Sequence, residues 1–125
     1  MKTKNDGAFL LHIAGSLEKI LRYTQKMDFG DFSSNSLVQD AVIRNYEIIG
    51  EASKALSQEF RSANPDIDWS GMAGFRDVLI HQYFGIDLMN VWNVTQKYAD
   101  TILSKLTALP AYKSAKSQLC SEENT

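Results

Sequence analysis

Apolar residues recur along this chain at intervals of three and four, not two, so the sequence predicts helices and no periodic strand. From Asp6 to about Met27 the residues Leu10, Ile13, Leu17, Ile20 and Leu21 line one helical face. The stretch from Asp28 to Asn35 breaks that pattern, and Ser36 followed three residues later by Gln39 reads as a capping box opening a second helix. Its buried side is predicted at Leu37, Ala41, Ile48, Ala52, Ala55 and Leu56, out to about Phe60. Asn64-Pro65-Asp66 stops it. Asp68 or Ser70 can cap a third helix reaching Phe84, with Gly85 as a left-handed residue just beyond its end. Asp87 then opens a fourth helix through Leu88, Val91, Trp92, Thr95, Tyr98, Ile102 and Leu106, which ends before Pro110. Four helices with short connections predict an all-α antiparallel bundle over residues 1–110, and the polar composition of 111–125 predicts a flexible C-terminal tail.

A chain of 125 residues with 44% hydrophobic content is large enough to bury one core without staples, so one domain is expected. Its single cysteine, Cys120, lies in the polar tail; it allows no intrachain disulfide and belongs to no metal-ligand spacing, so no metal or cofactor is expected. The N-terminus has no apolar signal core, and no apolar run approaches the ~18 residues needed to cross a bilayer. A cytoplasmic protein is the expectation. A formal charge of −2 gives no global attraction to nucleic acid, which places any polyanion binding on a local or assembled patch. The chain has no internal repeat and no glycine-rich phosphate loop.

The third predicted helix carries the residues with chemical potential. A helix turns about 100° per residue, so Asp77 and His81 share one side, Arg76 and Tyr83 share another, and Arg76 stands roughly 140° from His81. Val78, Leu79 and Ile80 between them include the positions that anchor the helix. Arg76 can act as an ion-paired surface arginine or as a planar cation that holds a phosphate by two parallel hydrogen bonds. His81 can be a histidine bonded to a neighbouring carboxylate such as Asp77, or a general acid or base, since imidazole titrates nearest neutrality. On the second helix Arg44, Glu47 and Glu51 form a polar stripe, either a solvated ion-pair face or a support that positions Arg76. Gly50, which costs roughly 1 kcal/mol of helix propensity, points to close helix packing there. His12 reads as a partly buried bundle histidine.

Phe75-Arg76-Asp77-Val78-Leu79-Ile80-His81-Gln82-Tyr83 resembles the signature of HEPN-domain proteins, in which an arginine is followed after four residues by histidine and after one more by tyrosine. The likeness is to the HepT-like toxins of HepT/MntA toxin-antitoxin pairs. Ala41 to Ala52 is similar to the family's second helix, and Asp68-Trp69, Gly74, Gly85-Ile86-Asp87 and Val91-Trp92 are similar to its other landmarks, so the resemblance runs from about Phe9 to Leu109. It implies a HEPN-type bundle and the toxin of a type VII toxin-antitoxin system, a metal-independent endoribonuclease. Its catalytic residues would be Arg76 and His81, composed into one site at a homodimer interface, with Asp77, Arg44 and Glu51 in support. It further implies a cognate MntA-like nucleotidyltransferase antitoxin that neutralises the toxin by attaching AMP to Tyr83.

Elementary chemistry makes the dimer attractive on its own account. Cleavage of RNA by its own 2′-hydroxyl needs one proton removed, another donated and a phosphorane charge stabilised, while this chain holds only two histidines. A two-fold axis near the third helix would supply two copies of Arg76 and His81. The competing reading is a non-catalytic HEPN module that binds a nucleotide or a protein partner through the same arginine and histidine.

Overall fold

Of the five residues that define the first stripe, Leu10, Ile13, Leu17 and Ile20 are each at most 1% exposed and form the spine of the core, while Leu21 packs partly buried against it. In the computed structural model, which describes residues 2–82 and 85–123, they lie on helix α1, Lys2–Thr24. Helices α2 (Phe29–Ser33), α3 (Ser36–Ala55), α4 (Gln58–Ala63) and α5 (Trp69–His81) follow. A long rod comes next, α6 (Leu88–Val94) running through a wide π turn (Thr95–Ala99) into α7 (Asp100–Thr107), and α8 (Pro110–Glu123) completes the chain. The described residues are helical or connecting, which gives the all-α HEPN-type bundle expected. No described helix is long and apolar enough to cross a membrane.

Helix α3 packs on both α1 and α5, and this central place corrects its predicted face. A helix clamped between two neighbours buries more than one stripe, here Val42, Asn45, Tyr46, Ile49, Gly50, Ala52 and Ser53, while Leu37 is 79% exposed and Ala55 lies at the surface. Its cap also differs by one residue. Asn35, not Ser36, accepts the Val38 amide at 3.1 Å, and Gln39 reaches outward to the Phe32 carbonyl. The helix breaks at Leu56 instead of continuing to Phe60, because Ser57 caps α4 and is itself held by the buried carboxylate of Asp6 through its amide at 2.8 Å and its hydroxyl at 2.7 Å.

Three further expectations are corrected. The break at 28–35 contains α2, closed by reciprocal bonds between Asp28 and Asp31, whose one buried residue, Phe32, meets Trp92 at 5.4 Å between ring centres. A single buried position has no period to read. The residues after Pro110 form α8 instead of a flexible tail through Glu123: it returns along α1, buries Tyr112 and brings Ala115 so close to Gly7 that a Cβ on the glycine would stand 3.0 Å away. Cys120 is exposed on it. His12, expected to be partly buried, is exposed and touches the edge of Phe9.

The wide turn in the rod changes which side of the fourth predicted helix is buried. One extra residue in the turn rotates the following side chains, so Ala99 is buried while Tyr98, expected on the inner face, is 53% exposed. The turn is pinned to α3 by a hydroxyl relay. The Thr95 hydroxyl donates to the Val91 carbonyl at 2.9 Å, so the 2.6 Å contact with Tyr46 is made by the phenol donating to Thr95 Oγ1. Burial pushes the Tyr46 phenol up to about 12.

Candidate functional site

Helix α5 starts where Asp68 caps it, accepting the Gly71 amide at 2.9 Å, and the buried Trp69 fixes the start by donating its indole N–H to the Asn64 carbonyl. It is seated on α3 by Phe75, whose ring meets that of Tyr46 edge-on at 5.1 Å, and by buried Leu79. Its end differs from the predicted one. The helix stops at His81 with Gln82 as its cap, three residues before Phe84, and no described glycine, Gly85 included, has a positive φ. The Gln82 and Gly85 amides donate to the Leu79 and Gln82 carbonyls.

Arg76 lies where α5 comes close against α3. A Cβ built on Gly50 would fall 2.1 Å from the Arg76 Cβ, 2.8 Å from its Cγ and 2.9 Å from the Met72 carbonyl oxygen, so only glycine admits the arginine at this depth. Close packing at Gly50 was legible in the sequence, and its occupant is the motif arginine. The Arg76 side chain is 21% exposed, donating from Nη1 to Asp77 Oδ1 at 3.1 Å and from Nη2 to Glu51 Oε1 at 3.3 Å. Its Nε is buried without a partner. A planar cation held through one bond at each Nη keeps its orientation, and the second N–H of each Nη leaves capacity for an anion.

His81 does not bond the Asp77 carboxylate. Its Nδ1 lies 2.6 Å from the Asp77 backbone carbonyl, and because a carbonyl only accepts, Nδ1 carries the proton. Nε2 is the nitrogen left for chemistry, a lone pair in the neutral ring and a donor in the charged one. Asp77 thus holds both motif residues, Arg76 by its side chain and His81 by its main chain, although those two are not bonded to each other. Lys54 of α3 donates to the same Asp77 oxygen at 2.6 Å. The bond from Lys54, followed by that from Arg76, holds the Asp77 carboxyl below the usual carboxylate range.

Of the supporting residues expected, Glu51 reaches Arg76 and Arg44 does not. Arg44 is exposed and pairs with Glu47 at 3.7 Å, one turn along its own helix. Lys54 was missed, although it continues the stripe of Arg44, Glu47 and Glu51 by three residues and shares its face. The anchors expected on α5 reduce to one, since Val78 and Ile80 are 43% and 40% exposed while Leu79 is buried. His81 is exposed beside them. Tyr83 lies outside the described residues. An apolar groove of about 410 Å³ runs past Phe75 and Met72 toward Tyr98 and Ile102, and neither Arg76 nor His81 lines it.

Comparison with known proteins bears on the family of the chain. Residues 13–109 match the sequence profile of a family described as "Ribonuclease HepT-like". The chain is similar to a protein named "Probable ribonuclease HepT" from Thermococcus cleftensis, 40% identical over 101 residues, covering 81% of this chain and 92% of the relative. It is also similar to a protein of Methanocaldococcus jannaschii named "Putative RNase", 38% identical over 97 residues, covering 78% of this chain and 89% of that one. No solved structure matches it.

Proposed function

Because the chain belongs to the HepT-like ribonuclease family, we propose that it is a metal-independent endoribonuclease whose site is composed of Arg76 and His81 from two copies of α5. The observation that carries this reading is the double role of Asp77, which fixes the arginine and the proton-transfer face of the histidine from one residue. In the reaction, Arg76 binds the scissile phosphate. The Nε2 of one neutral His81 takes the proton of the 2′-hydroxyl as its oxygen bonds to phosphorus. The bond to the 5′-oxygen breaks, and the Nε2–H of the partner's His81 protonates that leaving oxygen. The products are a 2′,3′-cyclic phosphate and a 5′-hydroxyl.

The open face of α5 supports the pairing of two chains. Among the helices, α5 packs chiefly on α3, and its outer side presents His81 between half-exposed Val78 and Ile80. An isologous contact there would cover apolar surface and bring two histidines to one phosphate. In this account the protein is the toxin of a toxin-antitoxin pair, acting in the cytoplasm. Its partner is an MntA-like nucleotidyltransferase, and AMP attached to Tyr83 adds negative charge and bulk that keep RNA from Arg76.

Purified protein incubated with single-stranded RNA in a chelator is expected to cut it and leave 2′,3′-cyclic phosphate ends. Activity that disappears with EDTA and returns with a divalent ion would overturn the metal-free mechanism.

A further inference from the structure

An arginine that must grip a phosphodiester starts here with two carboxylates already upon it, Asp77 on Nη1 and Glu51 on Nη2. Those three groups sum to −1, a charge that repels RNA. Lys54 is the group that changes the balance. Its ammonium lies 2.6 Å from Asp77 Oδ1, against 3.1 Å for Arg76 Nη1 on the same oxygen, and it brings the set of Arg76, Lys54, Glu51 and Asp77 to neutrality. An oxygen engaged by an ammonium at that distance has less negative charge to offer a second donor, so the hold of Asp77 on Arg76 is weakened. The arginine can then exchange it for a phosphate oxygen.

Lys54 also sits on α3, one turn beyond the Gly50 seat and three residues from Glu51, so α3 supplies both the counter-anion of Arg76 and the cation that offsets Asp77. Resting on the ribonuclease reading, we infer that Lys54 is a positioning residue of this site, which acts through Asp77 to leave Arg76 available to the RNA backbone. It is not a catalytic residue. Lys54 and Asp77 are both close to half exposed, so the pair does little for stability, and its effect is on substrate binding.

Steady-state cleavage of a short single-stranded RNA by Lys54→Met, Asp77→Asn and the double variant tests this, with melting temperature followed in each. Lys54→Met is expected to raise KM roughly fivefold, the upper range for an exposed charge pair, with kcat changed by less than about twofold and the melt unmoved. Lys54→Arg is expected to stay near wild type. Adding Asp77→Asn to Lys54→Met restores neutrality and is expected to recover most of the lost affinity. An unchanged KM in Lys54→Met, or a double variant that keeps the whole defect because the lysine touches phosphate itself, overturns the inference. Carboxyl NMR of Asp77 gives a readout that needs no RNA: Lys54→Met must raise its pKa, and an unmoved titration also overturns the inference. A wild-type protein that cuts no RNA removes the ribonuclease reading instead, an outcome separable from active protein indifferent to Lys54.

Discussion

Replacing Gly50 with alanine adds one methyl group at the point where two helices meet, and the structure fixes what it strikes. The new Cβ would stand 2.1 Å from the Arg76 Cβ and 2.9 Å from the Met72 carbonyl oxygen. A Cβ and a backbone oxygen cannot rotate away, so α5 itself must move off α3. Overpacking of this kind costs about 1–3 kcal/mol. Alanine recovers about 0.5–1 kcal/mol of helix propensity in α3. The net expectation is a loss of about 1–2 kcal/mol, read as a lower urea midpoint at unchanged slope. The displacement falls on Arg76, and a misplacement near 1 Å costs as much as roughly 100-fold in rate, so RNA cleavage is expected to fall at least about tenfold. Gly15→Ala is the control. It lies on α1, where an added Cβ meets nothing within 4 Å, and the same helix gain of about 0.5–1 kcal/mol is expected there unopposed. Gly50→Ala as stable and as active as wild type would refute the claim that glycine makes room for the arginine.

Tyr46→Phe removes the phenol that donates to Thr95 and is expected to cost about 0.5–1.5 kcal/mol by urea unfolding. Because the Tyr46 pKa is raised on folding, its contribution is intact below about pH 10 and is lost as pH rises toward about 12. Wild type should therefore lose stability over that interval more steeply than Tyr46→Phe; parallel profiles would contradict the burial of the phenol. Tyr83→Phe is expected to escape AMP addition by a partner nucleotidyltransferase and ATP, and intact-mass spectra showing equal addition to both proteins would place the acceptor elsewhere.

The elements legible in the sequence were those whose burial repeats on one side. Helix α1 has such a stripe, and Leu10, Ile13, Leu17 and Ile20 were found by their spacing. Helix α3 is buried on two sides, so no single stripe describes it and Leu37 was misplaced. The π turn, which brings Ala99 inward in place of Tyr98, rests on a hydroxyl pair 49 residues apart in sequence. At the site, Arg76 and His81 were singled out by the resemblance to the HEPN signature, and Glu51, which reaches Arg76, by its stripe. The grip of Asp77 on His81 escaped because it runs through a backbone carbonyl, and every residue type carries one. Lys54 was readable as the next step of the stripe that includes Glu51, and Arg44 shows why that stripe alone misleads: its charge is satisfied on its own helix.

The central claim is that Arg76 and His81 together make this protein a ribonuclease, and the most direct test compares Arg76→Ala and His81→Ala with wild type on the same RNA. His81 is exposed and truncating it should leave the melting temperature within about 2 °C. Arg76 is partly buried against Gly50, so its variant is compared at a temperature where both proteins are fully folded by circular dichroism. Loss of proton transfer at His81 is expected to lower cleavage by about 100-fold or more, and loss of the phosphate clamp at Arg76 by a similar factor. Folded variants that cut RNA at the wild-type rate would contradict the account, whichever of the two residues they lacked.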